Sequence, residues 1–154
     1  MIGKLSPEEI EKLLKKQVMG HIACYAEGKS YIIPVSYAYD GKDIYVRSLE
    51  GKKINMMRQN PEVCFQVEDL ENMAEWKSVI GWGDFEELTD PDERDKGLNI
   101  LLNRILPLLS SETTHLGAYW PFPPDHLNSI TGVVFRIRLG EKTGRFEKPE
   151  IPPQ

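Results

Sequence analysis

Hydrophobic and polar residues alternate along most of the chain, a period of two that is typical of β-strands with one buried face. The clearest alternating runs are residues 20–28, 31–39, 43–48, 62–69, 76–88 and 131–141. In the second run, one face carries Tyr31, Ile33, Val35, Tyr37 and Tyr39, and the other carries Ile32, Pro34, Ser36 and Ala38. Six short strands, mostly joined as antiparallel hairpins, predict a mainly β fold: a small six-stranded antiparallel barrel with peripheral helices.

Helical patterns interrupt the strands at three places. In the N-terminal segment 1–19, Ser6 can cap a helix, Pro7 suits its first turn and Glu9 completes a capping box. A short helix starts near Gly51 and is expected to end near Asn60 and Pro61. These caps predict where the first two helices begin and end.

The third helical pattern opens a longer insertion, residues 90–129. Asp90 and Pro91 begin a helix that we expect to stop at Pro107, and its apolar run suits either a core helix or one packed between barrel and partner. Residues 110–129 are irregular and rich in proline and aromatics, so we expect them to cover a ligand or pack on a second subunit. Residues 146–154 are expected to form a loose tail.

Length and charge narrow the class of protein. A chain of 154 residues is most simply a single domain, and a net charge of -5 argues against a general nucleic-acid binder. No apolar run approaches a membrane span, and the charged N-terminus does not resemble a signal peptide. Cys24 and Cys64 form no CxxC pair, so we expect two buried free thiols, no metal site and a cytoplasmic protein.

The stretch RSLEGKKINMMRQNP, residues 47–61, places positive charge where a helix already has a positive end. Helix N-termini bind anions through amides that lack a partner, and Gly51 would let an anion approach the backbone. Arg47, Ser48, Lys52 and Lys53 add charge and a hydroxyl. The cluster indicates either an anion site or an ordinary solvated surface.

The strand containing Pro34 leaves a similar choice. Proline removes one donor from a β-ladder, so Pro34 belongs at an edge or a bulge. Ser36 is a small polar residue on the same face, opposite the tyrosine row. This face suits either a ligand or an ordinary edge strand.

The order of these segments resembles the flavin-binding split-barrel superfamily, which includes the pyridoxine/pyridoxamine 5'-phosphate oxidases and the nitroimidazole-resistance proteins. The resemblance runs from Gly20 to about Arg145. It is carried by GHIACYAEGKSYIIPVSYAYDGKDIYV, RSLEGKKINMMRQNPEVCFQVED, WKSVIGWGDFEEL and TGVVFRIRLGEKTGR. It implies a split barrel that binds FMN at a homodimer interface.

The resemblance also implies a set of binding residues. Backbone and side chains of Pro34, Val35, Ser36 and Tyr37 would line the isoalloxazine and ribityl region, and Val46, Arg47 and Ser48 would continue that wall. Lys52 and Lys53, after Gly51, correspond to the basic pair that holds the FMN phosphate. Ser78 would contact the flavin from the fifth strand, often across the dimer. The anion that the cluster at residues 47–53 would bind is then the FMN phosphate.

Three functions follow from the resemblance. The first is an FMN-dependent oxidoreductase that takes electrons from NAD(P)H and reduces a small flat acceptor, such as a nitro compound or a quinone. The second is a module that binds flavin, haem or a deazaflavin without turnover. The third, pyridoxine-phosphate oxidation, is disfavoured because the ending GRFEKPEIPPQ lacks that enzyme's substrate-binding arginine motif. Arg47 also replaces a histidine that is common in nitroimidazole-resistance proteins.

Overall fold

The computed structural model describes residues 1–109, 127 and 130–150. Eight strands and three helices lie in this part of the chain. The strands are β1 (Ile2–Lys4), β2 (Met19–Ala26), β3 (Lys29–Ser36), β4 (Ala38–Tyr39), β5 (Asp43–Ser48), β6 (Glu62–Asn72), β7 (Glu75–Glu87) and β8 (Val133–Glu147). The helices are α1 (Pro7–Lys16), α2 (Lys52–Gln59) and α3 (Pro91–Leu109).

The strands form one antiparallel sheet in the order β3-β2-β6-β7-β8-β5-β4, with β1 added beside β8. Its two end strands, β3 and β4, are neighbours in sequence and are separated by Tyr37 alone. A sheet whose ends are joined through one residue has to curl until its edges approach each other. The sheet therefore forms a barrel, and the main core fills its interior.

Tyr37 is fixed on three sides. Its amide donates to the Val18 carbonyl oxygen at 3.0 Å, and its ring meets the Phe65 ring edge-on with centroids 4.9 Å apart. Its hydroxyl donates to the Leu14 carbonyl oxygen at 2.7 Å, in the last turn of α1, where carbonyls lack helical partners. Burial raises the pKa of this fully buried hydroxyl, which keeps it a donor.

The mainly β prediction is confirmed, but the strand number is wrong. The run 31–39 is divided at Tyr37, so that β3 pairs with β2 and β4 pairs with β5. β1 was missed because three residues are too few to show a period. It pairs with the end of β8, and Met1 and Lys148 exchange backbone hydrogen bonds. The regular pairing of β8 therefore includes Phe146 and Glu147, the first residues of the segment 146–154.

The N-terminal helix has the predicted caps. Ser6 Oγ accepts from the Glu9 amide at 3.2 Å, and Glu9 Oε1 accepts from the Ser6 amide at 3.1 Å. The helix itself spans only Pro7–Lys16, which is shorter than the predicted segment 1–19. Its apolar stripe is buried in the main core as predicted: Ile10, Leu13 and Leu14.

α3 packs on the outside of the barrel. Leu98, Leu101 and other apolar residues form a second cluster with Tyr45 of β5 and Val134 of β8. The prediction that this helix stops at Pro107 is wrong, since it continues to Leu109. A proline removes one helical hydrogen bond to the preceding turn, and this interruption does not end the helix here.

Two strand signals are confirmed. β3 is the end strand of the sheet, so Pro34 lies at an edge. The pairing of β7 with β8 shifts register between Gly81 and Gly83. A Cβ on Gly83 would lie 2.2 Å from the Arg138 carbonyl oxygen, so this position needs glycine.

Two predicted segments lie outside the described residues. They are the irregular part of the insertion, 110–126 and 128–129, and the chain end, 151–154. In the part of the chain that is described, no helix combines the length and the apolarity needed to cross a membrane.

We predict that Tyr37→Phe lowers the free energy of unfolding by about 1–3 kcal/mol, because it leaves the buried Leu14 carbonyl without its partner. Urea unfolding measures this loss. Tyr25→Phe is the matched control, since that side chain is 53% exposed. Equal stability of the two variants would show that the Tyr37 bond does not hold the barrel together.

Candidate functional site

The N-terminus of α2 is open. Gly51 caps the helix without any side-chain hydrogen bond, and the first turn contains no acidic residue. The first helical bond runs from the Asn55 amide to the Gly51 carbonyl oxygen at 3.1 Å. The amides before Asn55 therefore have no partner within the helix, the arrangement that binds anions.

The space around Gly51 is also open. A Cβ built on this glycine would meet no heavy atom within 4 Å. An anion could therefore approach the backbone at this point without displacing a side chain. This fits the role that the sequence assigns to Gly51.

A nearby carboxylate is held by an arginine. Glu50 precedes Gly51, and both of its oxygens accept from Arg58 at 2.8 Å. Arg58 also binds Glu87, with a shortest separation of 2.6 Å. The hydrogen bonds from Arg58 lower the pKa of Glu50. The single charge of Arg58 is shared by two carboxylates, so it offsets only part of the negative charge that Glu50 places near the start of α2.

The two lysines of α2 differ in their surroundings. Lys52 is exposed, and its Nζ lies over the Tyr31 ring, 5.0 Å from the centroid. Lys53 is half-buried. Among the described residues, neither lysine forms an ion pair with a carboxylate. The fold thus brings the start of α2 to strand β3 and places uncompensated charge there.

On β3, the predicted wall residues face two ways. The side chains of Pro34 and Ser36 are exposed, whereas Val35 and Tyr37 are buried in the main core. The Ser36 hydroxyl donates to Met19 Sδ at 3.1 Å. Val35 and Tyr37 can therefore offer only backbone to a ligand outside the barrel, and the Tyr37 amide is already bonded to Val18.

On β5, the predicted residues already have contacts. Val46 is buried in the main core. The Ser48 hydroxyl donates to the Leu49 carbonyl oxygen at 2.9 Å. Arg47 donates through Nε and Nη2 to the Thr131 carbonyl oxygen at 2.9 and 2.7 Å. Burial, and then the positive charge of Arg94, lower the pKa of Arg47. The side chains of these three residues are therefore engaged within the chain, and their role as a wall stays a prediction.

Ser78 lies apart from the other predicted residues of the same chain. It accepts a hydrogen bond from Gln66 Nε2 at 3.1 Å. Its strand, β7, is three positions from β3 in the sheet, or roughly 14 Å at about 4.8 Å for each strand spacing. One chain does not bring Ser78 to Pro34 and Ser36.

Sequence reasoning missed two contributions to the site: the Tyr31 ring and the ion pair of Glu50 with Arg58. Tyr31 belongs to the tyrosine row of its strand in the sequence pattern, and no local signal pairs it with Lys52. Glu50 and Arg58 are eight residues apart, about two helical turns. That spacing could have suggested their pairing, although Glu50 lies just outside the helix. No group of three or more His, Cys, Asp or Glu suited to a metal occurs in the described ranges.

Comparison with known proteins assigns the chain to a family. A family model described as pyridoxamine 5'-phosphate oxidase matches residues 6–146. An uncharacterized protein from Rhizobium meliloti (strain 1021) is 28% identical over 143 residues, which cover 92% of each chain. The predicted resemblance to this superfamily is confirmed.

Solved structures share the fold. A FAD-binding protein from Mesorhizobium loti has a TM-score of 0.75 and 30% identity, over 96% of this chain and 99% of that one. A candidate 5-nitroimidazole antibiotic resistance protein from Bacteroides thetaiotaomicron VPI-5482 has a TM-score of 0.70 and 18% identity, over 95% and 87%. The second similarity is one of fold alone. The split-barrel class predicted from the sequence is confirmed.

Proposed function

Because the chain belongs to the pyridoxamine 5'-phosphate oxidase family, we propose that it binds a flavin, specifically FMN, and acts as an oxidoreductase. The observation that carries the proposal is the open start of α2. Its amides without helical partners, the clear space at Gly51 and the uncompensated Lys52 and Lys53 suit a phosphate dianion. The similar Mesorhizobium loti protein is named as FAD-binding, which supports a flavin.

The residues of β3 suit the rest of the cofactor. As the end strand, β3 has backbone groups that face away from β2 and lack a partner in the sheet. Pro34 and Ser36 present a small, exposed surface beside them. These groups would bind and orient the ring, whose redox chemistry would carry electrons from NAD(P)H to a small flat acceptor such as a nitro compound or a quinone.

We propose that the site is completed in a homodimer. On the outer face of the sheet, cross-strand neighbours form a row of four residues across β3, β2, β6 and β7. We name it the apolar row, and its members are Ile32, Ala23, Cys64 and Trp82. Ile32 is 67% exposed and Trp82 is 43% exposed. Cys64 is half-buried, so only Cys24 matches the expected burial. Such exposed apolar surfaces are typical of interfaces.

A second copy of the chain is the occupant that best suits the apolar row. The outer face of β5 and β8 is already covered by α3 and by the ion pairs of Arg136 with Glu86 and Glu93. The apolar row has no such cover among the described residues. Ser78, too distant to join β3 within one chain, would contribute across an interface between two copies.

We predict that Lys52→Ala/Lys53→Ala weakens FMN binding by at least about tenfold while riboflavin binding changes by less than about twofold. Only FMN carries the phosphate. Flavin fluorescence titration measures both affinities. Lys42→Ala/Lys96→Ala is the control, because these exposed lysines lie in the β4–β5 turn and in α3. Equal losses for FMN and riboflavin would contradict this placement of the phosphate.

Oxidoreductase activity is tested by reduction of the bound flavin. We expect anaerobic NADPH or NADH to bleach the flavin absorbance, and a nitro compound or a quinone to restore it. A flavin that neither nicotinamide reduces would favour a binding module without turnover. In air, where oxygen can take up the two electrons and form hydrogen peroxide, formation of pyridoxal phosphate from pyridoxine phosphate is not expected, and finding it would overturn the proposed substrate class.

We predict that Ile32→Glu gives a monomer that releases flavin, because it places charge in the apolar row. Light scattering and flavin absorbance after gel filtration measure the two effects together. Met73→Glu is the control, since Met73 is 93% exposed in the β6–β7 turn and lies outside the apolar row. A proven monomer that keeps its flavin would show that the site is not shared.

A further inference from the structure

We propose that Tyr31 is a positioning residue for the phosphate end of this site. Its ring holds the Lys52 ammonium at the start of α2, so that Lys52 rather than Lys53 provides the main ionic contact to the phosphate. The inference rests on the proposed function, which it deepens by distinguishing the two lysines. It follows from one contact between β3 and α2.

The contact has the geometry of a cation–π interaction. Lys52 Nζ lies 5.0 Å from the centroid of the Tyr31 ring, within the roughly 6 Å over which the negative face of a ring attracts an ammonium. An ammonium has three N–H donors. Since one side faces the ring, donors remain for an anion at the open end of the helix.

Lys52 needs such a restraint more than most lysines. It begins a helix whose end is positive, it lies next to Lys53, and no described carboxylate pairs with it. The helix end and Lys53 both repel the Lys52 ammonium. An unrestrained lysine also loses much rotamer entropy when it binds a phosphate. A ring that holds the ammonium in advance reduces the cost of binding a phosphate.

The ring is itself anchored. Tyr31 pairs with Cys24 in the β3–β2 ladder and packs against the main core. Its backbone belongs to the strand proposed to carry the flavin ring. Tyr31 therefore ties the position of the phosphate contact to the position of β3.

Lys53 is arranged differently. Consecutive residues of a helix are about 100° apart, so Lys53 points away from the direction of Lys52. It is half-buried, and no ring contact or ion pair joins it to the described residues. The two lysines are adjacent in sequence but are not equivalent.

The test is a set of binding measurements with FMN and riboflavin at low and high salt. Tyr31→Leu should weaken FMN binding by about two- to fivefold, the factor typical of a cation–π contact at an exposed site. Tyr31→Phe keeps the ring and should bind FMN as the wild type does. Lys52→Ala should weaken FMN binding more than Lys53→Ala, and riboflavin binding should not change in any variant.

A double-mutant cycle separates positioning from a general structural role. If Tyr31 acts through Lys52, Tyr31→Leu should lower the FMN affinity of the wild type. The same substitution should not lower the FMN affinity of the Lys52→Ala variant any further. Additive losses, or equal losses from the two single lysine variants, would overturn the inference. If the wild type bound neither flavin, the proposed function itself would fail. If the wild type binds FMN tightly and Tyr31→Leu binds it equally well, only the role of Tyr31 is contradicted.

Discussion

The architecture depends on the buried contacts of Tyr37, through which the chain passes from one end of the sheet to the other. Its amide donates a hydrogen bond to Val18, which precedes β2, and its hydroxyl donates one to Leu14 of α1. Its ring also packs edge-on against Phe65 of β6. A strand that continued straight would have kept β3 and β4 in one ladder. Because Tyr37 divides them, β4 pairs with β5 instead, and the sheet closes into a barrel. Three contacts at one residue thus link the curl of the sheet to the N-terminal helix.

The same closure determines where the candidate site can form. β3 becomes an end strand, and Pro34 lies at an edge of the sheet, where proline is tolerated. The start of α2 lies beside that strand, as the contact of Lys52 with Tyr31 records. The proposed site would combine the amides and ammonium groups at this open helix end with the backbone of β3. Arg58 holds the Glu50 carboxylate and offsets part of its charge, which it shares with Glu87.

The outside of the barrel is divided into two chemically different halves. Over β5 and β8, α3 supplies apolar cover, and Arg136 lies between the carboxylates of Glu86 and Glu93. Over β3, β2, β6 and β7, the apolar row is bare in the described chain, with Ile32 and Trp82 well exposed. A domain that satisfies one half so fully and leaves the other apolar has an asymmetric surface. The homodimer proposed above would cover the exposed side chains of the apolar row.

The sequence by itself determined the features that depend on near neighbours. Alternation located most strands, the Ser6 and Glu9 capping box fixed the start of α1, and the lysines after Gly51 marked an open helix end, because periods and caps are set within a few residues. Only the tertiary structure decided the rest: the break at Tyr37, the pairing of β1 with β8, the direction of Arg47 towards Thr131 and the contact between Lys52 and Tyr31. It also placed Ser78 three strands from β3. These features depend on register and closure, which bring together residues far apart in the chain and leave no periodic trace in the sequence.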